Sequence, residues 1–187
     1  MSETSTLRLD KALSINGWMS HSELEFLART ARKCNIVIEI GCYLGRSTRA
    51  ILDNTDAFVF AVDPWNGYYS STGVKLGLFT EDDYEHFRAN VKEYLESGQL
   101  EILKCRSDEF PNDFGKGYSD FTFIDGDHRY SQVVKDIQLA KRITRKGGII
   151  AGHDYTHVSD WPGVKQAVDE IYPEAQKADS IWWIKNK

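Results

Sequence analysis

The strongest constraint on the fold is a repeated alternation between short apolar runs of strand length and segments with helical spacing. The runs lie at residues 35–40, 57–62, 100–103, 122–124, 149–150 and 181–184. Apolar residues at helical spacing fill most of the intervals, as in Val133, Val134, Ile137 and Ala140. Strands that alternate with helices are typical of βαβ units. The sequence therefore predicts an α/β fold, a doubly wound, mostly parallel sheet with helices on both faces.

We expect one domain over residues 1–187. This length is enough for one substantial core, and we find no internal repeat or Pro/Gly-rich linker that would divide it. Residues 1–12 are expected to be a loose arm or a short extra helix. Ser20 and Glu23 form a capping-box pattern, which predicts a helix that ends near Lys33.

The composition argues against two kinds of partner. The chain has 23 Lys and Arg against 28 Asp and Glu, a net charge of −5 that disfavours a nucleic-acid surface. Its apolar runs are far shorter than the roughly 20 residues that cross a bilayer. The polar start carries no apolar signal region, and an odd number of cysteines without a CxxC pair suits a reducing compartment. We expect a cytoplasmic protein without nucleic-acid or membrane partners, and leave a homo-oligomer open.

Glycines and an acidic residue follow the first two predicted strands. Gly41 allows a tight turn, and Gly45 allows a ligand to approach the backbone closely. Ser47 could supply a hydroxyl group to a ligand or cap the following helix. Asp63 ends the second strand about twenty residues later, where a carboxylate can accept hydrogen bonds from ribose hydroxyls. The pattern predicts a nucleoside ligand.

The glycine spacing distinguishes between two nucleoside cofactors. Dinucleotide binding uses GxGxxG, but here Tyr43 and Arg46 occupy the second and third glycine positions. A bulky side chain at the second position disfavours a pyrophosphate close to the backbone, so S-adenosylmethionine is favoured. A nicotinamide-dependent oxidoreductase and a non-catalytic nucleoside-binding domain remain the alternatives.

Carboxylates and imidazoles follow the fourth and fifth predicted strands. One cluster is Asp125 to His128, and the other is His153 with Asp154. The carboxyl ends of neighbouring parallel strands meet at one edge of the sheet, where such folds bind ligands. Carboxylate and imidazole groups can hold a divalent cation or move a proton. A lone Asp after a strand also commonly caps a helix, and a lone loop His is commonly a surface donor.

Segments 37–45, 62–64, 123–130 and 147–155 resemble class I S-adenosylmethionine-dependent methyltransferases. Within that class the chain is most similar to the small-molecule O-methyltransferases, including macrolide-sugar methyltransferases and cephalosporin hydroxylase-like proteins. The resemblance extends over residues 17–183. It implies a Rossmann-like methyltransferase fold with a seven-stranded sheet, and S-adenosylmethionine as cofactor. The implied acceptor is a hydroxyl of a small molecule, a sugar or a secondary metabolite, with possible help from a metal.

The resemblance also implies roles for individual residues. Glu39 and Gly41 would shape the methionine end of the pocket, Asp63 would hold the ribose, and Ser107 would lie at the adenine edge. Ser107 could equally cap the helix before Phe110. The full set of expected cofactor-binding residues is Glu39, Gly41, Gly45, Ser47, Asp63, Ser107 and Asp125.

The reaction residues follow from the same resemblance. In the resembling family a cation is held by an Asp after the fourth strand and an acidic pair after the fifth. Asp125 and Asp154 match these positions, and His153 stands where the first member of the pair is usually Glu or Asp. Imidazole suits transition metals better than magnesium, so the metal, Mg or a transition metal, stays open. His128 matches a general base, and an ordinary imidazole pKa of about 6.5 suits that role. The expected catalytic residues are thus His128 and Asp125, and the expected metal ligands are Asp125, His153 and Asp154.

Two loops are candidates for the rim of the site. Residues 65–80 form a polar, glycine-bearing loop of unusual length, which is typical of lids and substrate-selecting elements. Its aromatic residues could equally pack against another subunit. Tyr155, Thr156, His157 and Trp161 form a second candidate rim.

Overall fold

The structure, a computed structural model, describes residues 6–69, 75–77 and 81–187. Its main sheet contains seven strands: β1 Ile36–Ile40, β2 Phe58–Val62, β5 Leu100–Leu103, β6 Ser119–Ile124, β7 Thr144–Gly152, β8 Gln176–Ala178 and β9 Ile181–Lys185. A second, two-stranded antiparallel sheet pairs β3 Tyr68–Tyr69 with β4 Lys75–Gly77. The helices are α1 Asp10–Ser14, α2 His21–Ala31, α3 Arg46–Leu52, α4 Glu81–Asn90, α5 Lys92–Glu96, α6 Tyr130–Ile143 and α7 Pro162–Ile171, with a 3-10 turn at Ser107–Glu109.

The strand order of the main sheet is β5-β2-β1-β6-β7-β9-β8. The pairs from β5 across to β7 are parallel, whereas β9 runs antiparallel to both β7 and β8. The chain starts in the middle of the sheet at β1 and extends it first to one side and then to the other. The prediction of a doubly wound, mostly parallel seven-stranded sheet is confirmed.

Each face of the sheet has its own apolar core, because successive strand residues point to opposite sides. Val37 packs in the core that contains α1, α2 and α3. Ile38 and Ile40 pack in the other core, beneath α6 and α7. The central strands are buried on both faces, which explains why they are nearly continuous apolar runs in the sequence.

Part of the N-terminal segment is packed rather than loose. The segment expected to be an arm or a short helix contains the start of α1, and Leu9 and Ala12 are buried in the core. The backbone of Arg8 exchanges two hydrogen bonds with the side chain of Asn54. Residues 1–5 lie outside the described residues. The capping box of Ser20 and Glu23 is present at the start of α2.

Several element boundaries differ from the sequence-based expectation. The helix expected over residues 81–97 is divided at Val91 into α4 and α5. Strand β7 begins at Thr144, ahead of the two glycines that were expected to precede it. Strand β8 was not predicted, because its three residues are all exposed and lack an apolar pattern. None of the helices in the described part of the chain has the length and apolar character needed to span a bilayer.

Candidate active site

A cleft of about 530 Å³ lies at the edge of the sheet where β1, β2, β6 and β7 end. Its walls come from the loops after these strands, from α6 and from residues 16–19 ahead of α2. This is the edge at which open α/β sheets bind ligands. The predicted site residues that line the cleft are Gly41, Ser47, Asp63, Ser107, Asp125, His128, His153 and Asp154. The two clusters predicted from the sequence therefore share one cavity.

Gly41 makes the predicted tight turn after β1. Its φ is +88°, and a Cβ atom built on it would lie 2.1 Å from the backbone oxygen of Asp125. The loops after β1 and β6 therefore touch at this point, and only glycine leaves room for that contact. The cofactor half and the reaction half of the cleft meet there.

Asp63 is buried at the end of β2 and holds the loop that follows β1. Its Oδ2 atom accepts hydrogen bonds from the backbone N–H groups of Cys42, at 2.8 Å, and Tyr43, at 3.1 Å. Its Oδ1 atom accepts one from Trp65 N at 2.7 Å. Burial raises the pKa of Asp63, while these backbone hydrogen bonds oppose the rise. A carboxylate offers about four lone-pair positions, so Asp63 can shape the loop and still accept a hydrogen bond from a ligand.

Gly45 and Glu39 lie behind the cleft lining rather than in it. Gly45 precedes α3 with a φ of +89°, and a Cβ atom there would come within 3.1 Å of the Phe87 ring. The missing side chain thus allows close packing against α4 rather than the approach of a ligand. Glu39 is fully buried and accepts a 2.5 Å hydrogen bond from Thr48 Oγ1. Burial raises the pKa of Glu39 to about 7. Neither residue is among those that line the cleft, and their expected cofactor contacts stay predictions.

The start of α3 contributes Ser47 to the cleft. Gly45 occupies the N-cap position of this helix, so Ser47 lies within its first turn and does not cap it. Ser47 therefore does not cap α3, but its hydroxyl can still contact a ligand in the cleft.

A hydrogen-bonded polar triad of Ser107, Gln132 and Asp136 closes one end of the cleft. Ser107 Oγ donates to Asp136 Oδ1 at 2.5 Å, and Gln132 Nε2 donates to both Ser107 Oγ and Asp136 Oδ1. Arg106 occupies the N-cap position of the 3-10 turn, so the Ser107 hydroxyl does not cap that turn but joins it to α6. Asp136 and Gln132 were not identified from the sequence, because both fit an ordinary amphipathic helix.

The other end of the cleft contains Asp125, His128 and Asp154. The Nε2 atom of His128 lies 2.7 Å from Asp154 Oδ2 and 4.0 Å from Asp125 Oδ1. Both ring nitrogens of His128 are buried and lack a well-aligned hydrogen bond from or to the described residues, so the close approach to Asp154 is an ion-pair contact. Asp154 has a φ of +62°, which is unusual for a residue other than glycine. Such a conformation persists only where the surroundings hold it, and it is common at functional sites.

His153 is buried beside this group and is held by a carboxylate from another element. Its Nε2 atom lies 3.2 Å from Oε1 of Glu23, the capping-box residue of α2. Its Nδ1 atom lies 3.3 Å from Asp154 Oδ1 and 3.7 Å from Asp125 Oδ1. Ser180 N also donates to Glu23 Oε1. Glu23 was missed as a site residue because its capping pattern already accounts for it.

The carboxylates give this end of the cleft a strongly negative field. Burial disfavours the charged imidazoles, but Asp125 and Asp154 outweigh it and raise the pKa of His128 to about 9. The same two carboxylates and Glu23 raise the pKa of His153 to about 11. Burial would raise the pKa of Asp154, yet contacts with His128 and His153 hold it well below its usual range. A field that protonates histidines is also one that attracts a cation.

Three of these residues meet the geometric requirement for a metal site. Asp125, His128 and Asp154 each offer one ligand atom, and these atoms all lie within 4.8 Å of one another. Two carboxylates and an imidazole suit a divalent transition metal better than magnesium. The expected set of ligands contained His153, but the structure groups His128 in its place. The ring of His153 instead bridges Glu23 and the two aspartates.

Aromatic residues border the reaction end. Trp161 stacks on His128 with ring centroids 4.4 Å apart, and His157 Nδ1 lies 2.8 Å from Asp154 Oδ1. Trp18 is 76% exposed and lies 5.2 Å from the Tyr43 ring. Of the predicted second rim, His157 and Trp161 line the cleft. Tyr155 and Thr156 instead hydrogen-bond to Asp169 and Ser180.

The other predicted rim is described only in part. Trp65 is buried against Tyr84 and Phe87, and its Nε1 atom donates to Tyr43 O, so it belongs to the core. Asn66 and Gly67 line the cleft. Residues 70–74 and 78–80, and the side chains between 68 and 77, lie outside the described part of the loop.

Comparison with known proteins agrees with this architecture. A family model for a methyltransferase domain matches residues 38–155. An uncharacterized protein of Acanthamoeba polyphaga mimivirus, R132, is 29% identical over 156 residues, which are 82% of this chain and 66% of that protein. The chain thus spans slightly less than two thirds of this relative's length.

Two solved structures resemble the fold at low sequence identity. One is an O-methyltransferase from Bacillus cereus in complex with SAH, with a TM-score of 0.70, 15% identity and coverage of 95% of this chain and 90% of the other. The second is the cofactor-bound Rv0187 from MTB, with a TM-score of 0.70, 18% identity and coverage of 95% and 85%. The chain belongs to the methyltransferase-domain family. The resemblance to class I methyltransferases inferred from the sequence is confirmed.

Proposed function

We propose that this protein is an S-adenosylmethionine-dependent O-methyltransferase that acts on a hydroxyl of a small molecule, with the help of a divalent cation. One observation carries the proposal. The loop held by Asp63 and the group of Asp125, His128 and Asp154 line the same cleft, and they meet at Gly41. A nucleoside cradle and a proton-accepting group are the two parts that methyl transfer to a hydroxyl requires.

The cofactor supplies a methyl group already activated on a sulfonium. The protein's task is to bind the cofactor, orient the acceptor and remove the hydroxyl proton. Asp63 accepts a hydrogen bond from the ribose, while its other contacts fix the loop next to the methionine part. The Trp161 ring, which stacks on His128, shields the acceptor end from water.

The proton leaves the acceptor oxygen through the acidic end of the cleft. Asp154 Oδ2 lies 2.7 Å from Nε2 of His128 and orients the ring. Both carboxylate contacts of the ring, from Asp125 and Asp154, fall on Nε2, so we assign proton acceptance to Nδ1. At a pKa of about 9 this ring is protonated at neutral pH, so it needs a neighbouring positive charge to become a base. A divalent cation held by Asp125 and Asp154 would supply that charge and lower the pKa of the acceptor hydroxyl.

Cofactor binding is the first test. Calorimetry with S-adenosylhomocysteine should show binding to the wild-type protein, and Asp63→Ala should weaken it by about tenfold or more, the loss expected for a charged hydrogen bond. Asp56→Ala is the matched control, since Asp56 is exposed at the opposite end of β2. If neither adenosylmethionine nor its demethylated product binds to the wild type, the proposal is wrong.

Turnover is the second test. Transfer of a labelled methyl group to a panel of sugars and other small hydroxylated compounds should be lost in His128→Ala and in Asp125→Asn, and His128→Ala should still bind the cofactor. A chelator should abolish the activity, and added divalent metal should restore it. Binding without transfer to any hydroxyl would favour a non-catalytic nucleoside-binding domain. Activity that resists chelation would remove the cation from the proposal.

A further inference from the structure

The carboxylate of Glu23 has more contacts than a helix cap requires. Its Oε2 atom accepts a hydrogen bond from Ser20 N at 2.8 Å, which completes the capping box of α2. Its Oε1 atom accepts one from Ser180 N at 3.0 Å and lies 3.2 Å from Nε2 of His153. Glutamine serves in a capping box as glutamate does, because the cap uses one side-chain oxygen. The charge and the second oxygen of this buried residue therefore serve the contacts with His153 and Ser180.

The His153 ring lies between Glu23 and the reaction residues. It is 4% exposed, and its other nitrogen, Nδ1, lies 3.3 Å from Asp154 Oδ1 and 3.7 Å from Asp125 Oδ1. Each ring nitrogen thus faces a carboxylate oxygen, so a rotation of the ring would break contacts on both sides. This arrangement accounts for the grouping of possible cation ligands among the described residues, which takes in Asp125, His128 and Asp154 without His153.

Glu23 also joins the reaction residues to two other parts of the fold. Residues 16–19 line the cleft and lead directly into Ser20, the N-cap of α2. Ser180 lies in the turn between β8 and β9. One carboxylate thus connects the N-terminal wall of the cleft, this turn and the His153 ring. Groups that orient metal ligands from behind commonly change metal affinity or activity by about ten- to a hundredfold when they are replaced.

We propose that Glu23 is a positioning residue of the reaction centre: through His153 it holds the carboxylates of Asp125 and Asp154 at the separation that a divalent cation requires. This inference rests on the proposed function, which assigns the cation to these two aspartates. Glu23 does not line the cleft, so it touches neither the acceptor nor the cofactor. Its effect on the reaction passes through the His153 ring.

Glu23→Gln tests this role with Mn²⁺ as the probe. The amide has one oxygen to accept from Ser20 N or Ser180 N, and it no longer presents a charged oxygen to His153. Calorimetry should show the affinity for Mn²⁺ weakened by about tenfold or more, and kcat for methyl transfer should fall by a similar factor. Binding of S-adenosylhomocysteine without metal should be unchanged, because Glu23 does not line the cleft.

A double-mutant cycle with His153→Gln separates positioning from a general loss of structure. If Glu23 acts through His153, the double variant loses no more Mn²⁺ affinity than His153→Gln alone, whereas independent effects add. Glu25→Gln is the matched control. It removes the same charge from α2, but Glu25 lies beside Arg29 and does not line the cleft. This variant should keep the wild-type Mn²⁺ affinity and kcat.

The inference is overturned by wild-type Mn²⁺ affinity in a folded Glu23→Gln variant, by additive losses in the cycle, or by a wild type that does not bind Mn²⁺. If Glu23→Gln does not fold, Glu23→Asp takes its place, since it keeps the charge but draws the carboxylate away from His153. A wild type that binds Mn²⁺ but neither S-adenosylmethionine nor S-adenosylhomocysteine refutes the proposed function instead. The Mn²⁺ affinities of the variants then still decide the role of Glu23.

Discussion

At Gly41 the backbone conformation and the packing impose separate constraints on one residue. The left-handed φ of +88° costs any other L-residue about 1–2 kcal/mol. The contact with the Asp125 backbone adds a clash that only a movement of the two loops can relieve. We predict that Gly41→Ala lowers the free energy of unfolding by about 3 kcal/mol or more and weakens cofactor binding.

Gly98→Ala provides the comparison for that variant. Gly98 has a φ of +74°, but a Cβ atom there would have nothing within 4 Å. Only the conformational cost of about 1–2 kcal/mol should then appear in urea denaturation. Equal losses for the two variants would show that the loop contact at Gly41 does not contribute.

Glu39 should give the stability of the protein a measurable pH dependence. Burial raises its pKa from 4.5 to about 7, so the folded state keeps a proton over this range that the unfolded state has released. Stability from this group therefore falls as the pH rises, by about 3 kcal/mol between pH 4.5 and 7. Glu39→Gln should remove that loss, so its stability relative to the wild type should increase across the same range in urea denaturation. Parallel pH profiles of the two proteins would contradict the assignment.

The sequence predicted those site residues whose signals depend on strand ends. Asp63, Asp125 and Asp154 could be identified because each follows an apolar run, and parallel strands end at a common edge. Glu23 and Asp136 could not, because they lie on helices where an acidic residue has an ordinary explanation. Their importance depends on which helices meet, and this is a property of the tertiary structure.

At the scale of elements, a buried charge network joins α3 to α5. Arg49 is 3% exposed, and its guanidinium contacts Asp53 at 3.0 Å, Glu93 at 2.5 Å and the backbone oxygen of Asn90. Asp53 is also buried, so removing the arginine leaves a charge without its partner. We predict that Arg49→Ala costs about 3–5 kcal/mol in urea denaturation.

The double variant Arg49→Leu with Asp53→Leu isolates the pairing from the packing. It removes both charges and keeps apolar volume, so much of the loss seen in Arg49→Ala should be recovered. The stability losses of Arg49→Leu and Asp53→Leu are also measured separately. If the loss in the double variant equals their sum, the ion pair is not the source of the instability.

Helices and strands could be predicted where burial produces a periodic or continuous apolar pattern in the sequence, and were missed where it does not. The central strands are covered by helices on both faces, so the apolar runs gave the positions of β1 and β2 within one residue, while β6 and β7 begin earlier than their runs. Strand β8 lies at the edge of the sheet with three exposed residues, and its pairing with β9 leaves no periodic signal. The break at Val91 between α4 and α5 was equally hidden, because the apolar spacing continues across it.

At the scale of the whole molecule, the cleft depends on elements from nearly the full length of the chain. Residues from the segment before α2, from the ends of several strands and from α6 all line it. A ligand that binds this cleft binds the folded state alone, so it should stabilise the entire fold by mass action. At a hundred times its dissociation constant, S-adenosylhomocysteine should raise the free energy of unfolding by about 2.7 kcal/mol.

Urea denaturation with and without the ligand tests this linkage. At a fixed ligand concentration, the ligand should raise the free energy of unfolding of Asp56→Ala as much as that of the wild type, because Asp56 is exposed and does not line the cleft. Asp63→Ala should lose about 1.4 kcal/mol of the increment for each tenfold loss of affinity. An equal increment in both variants would mean that the ligand stabilises the fold from a site that does not contain Asp63. The cleft at the carboxyl edge of the sheet would then no longer account for binding.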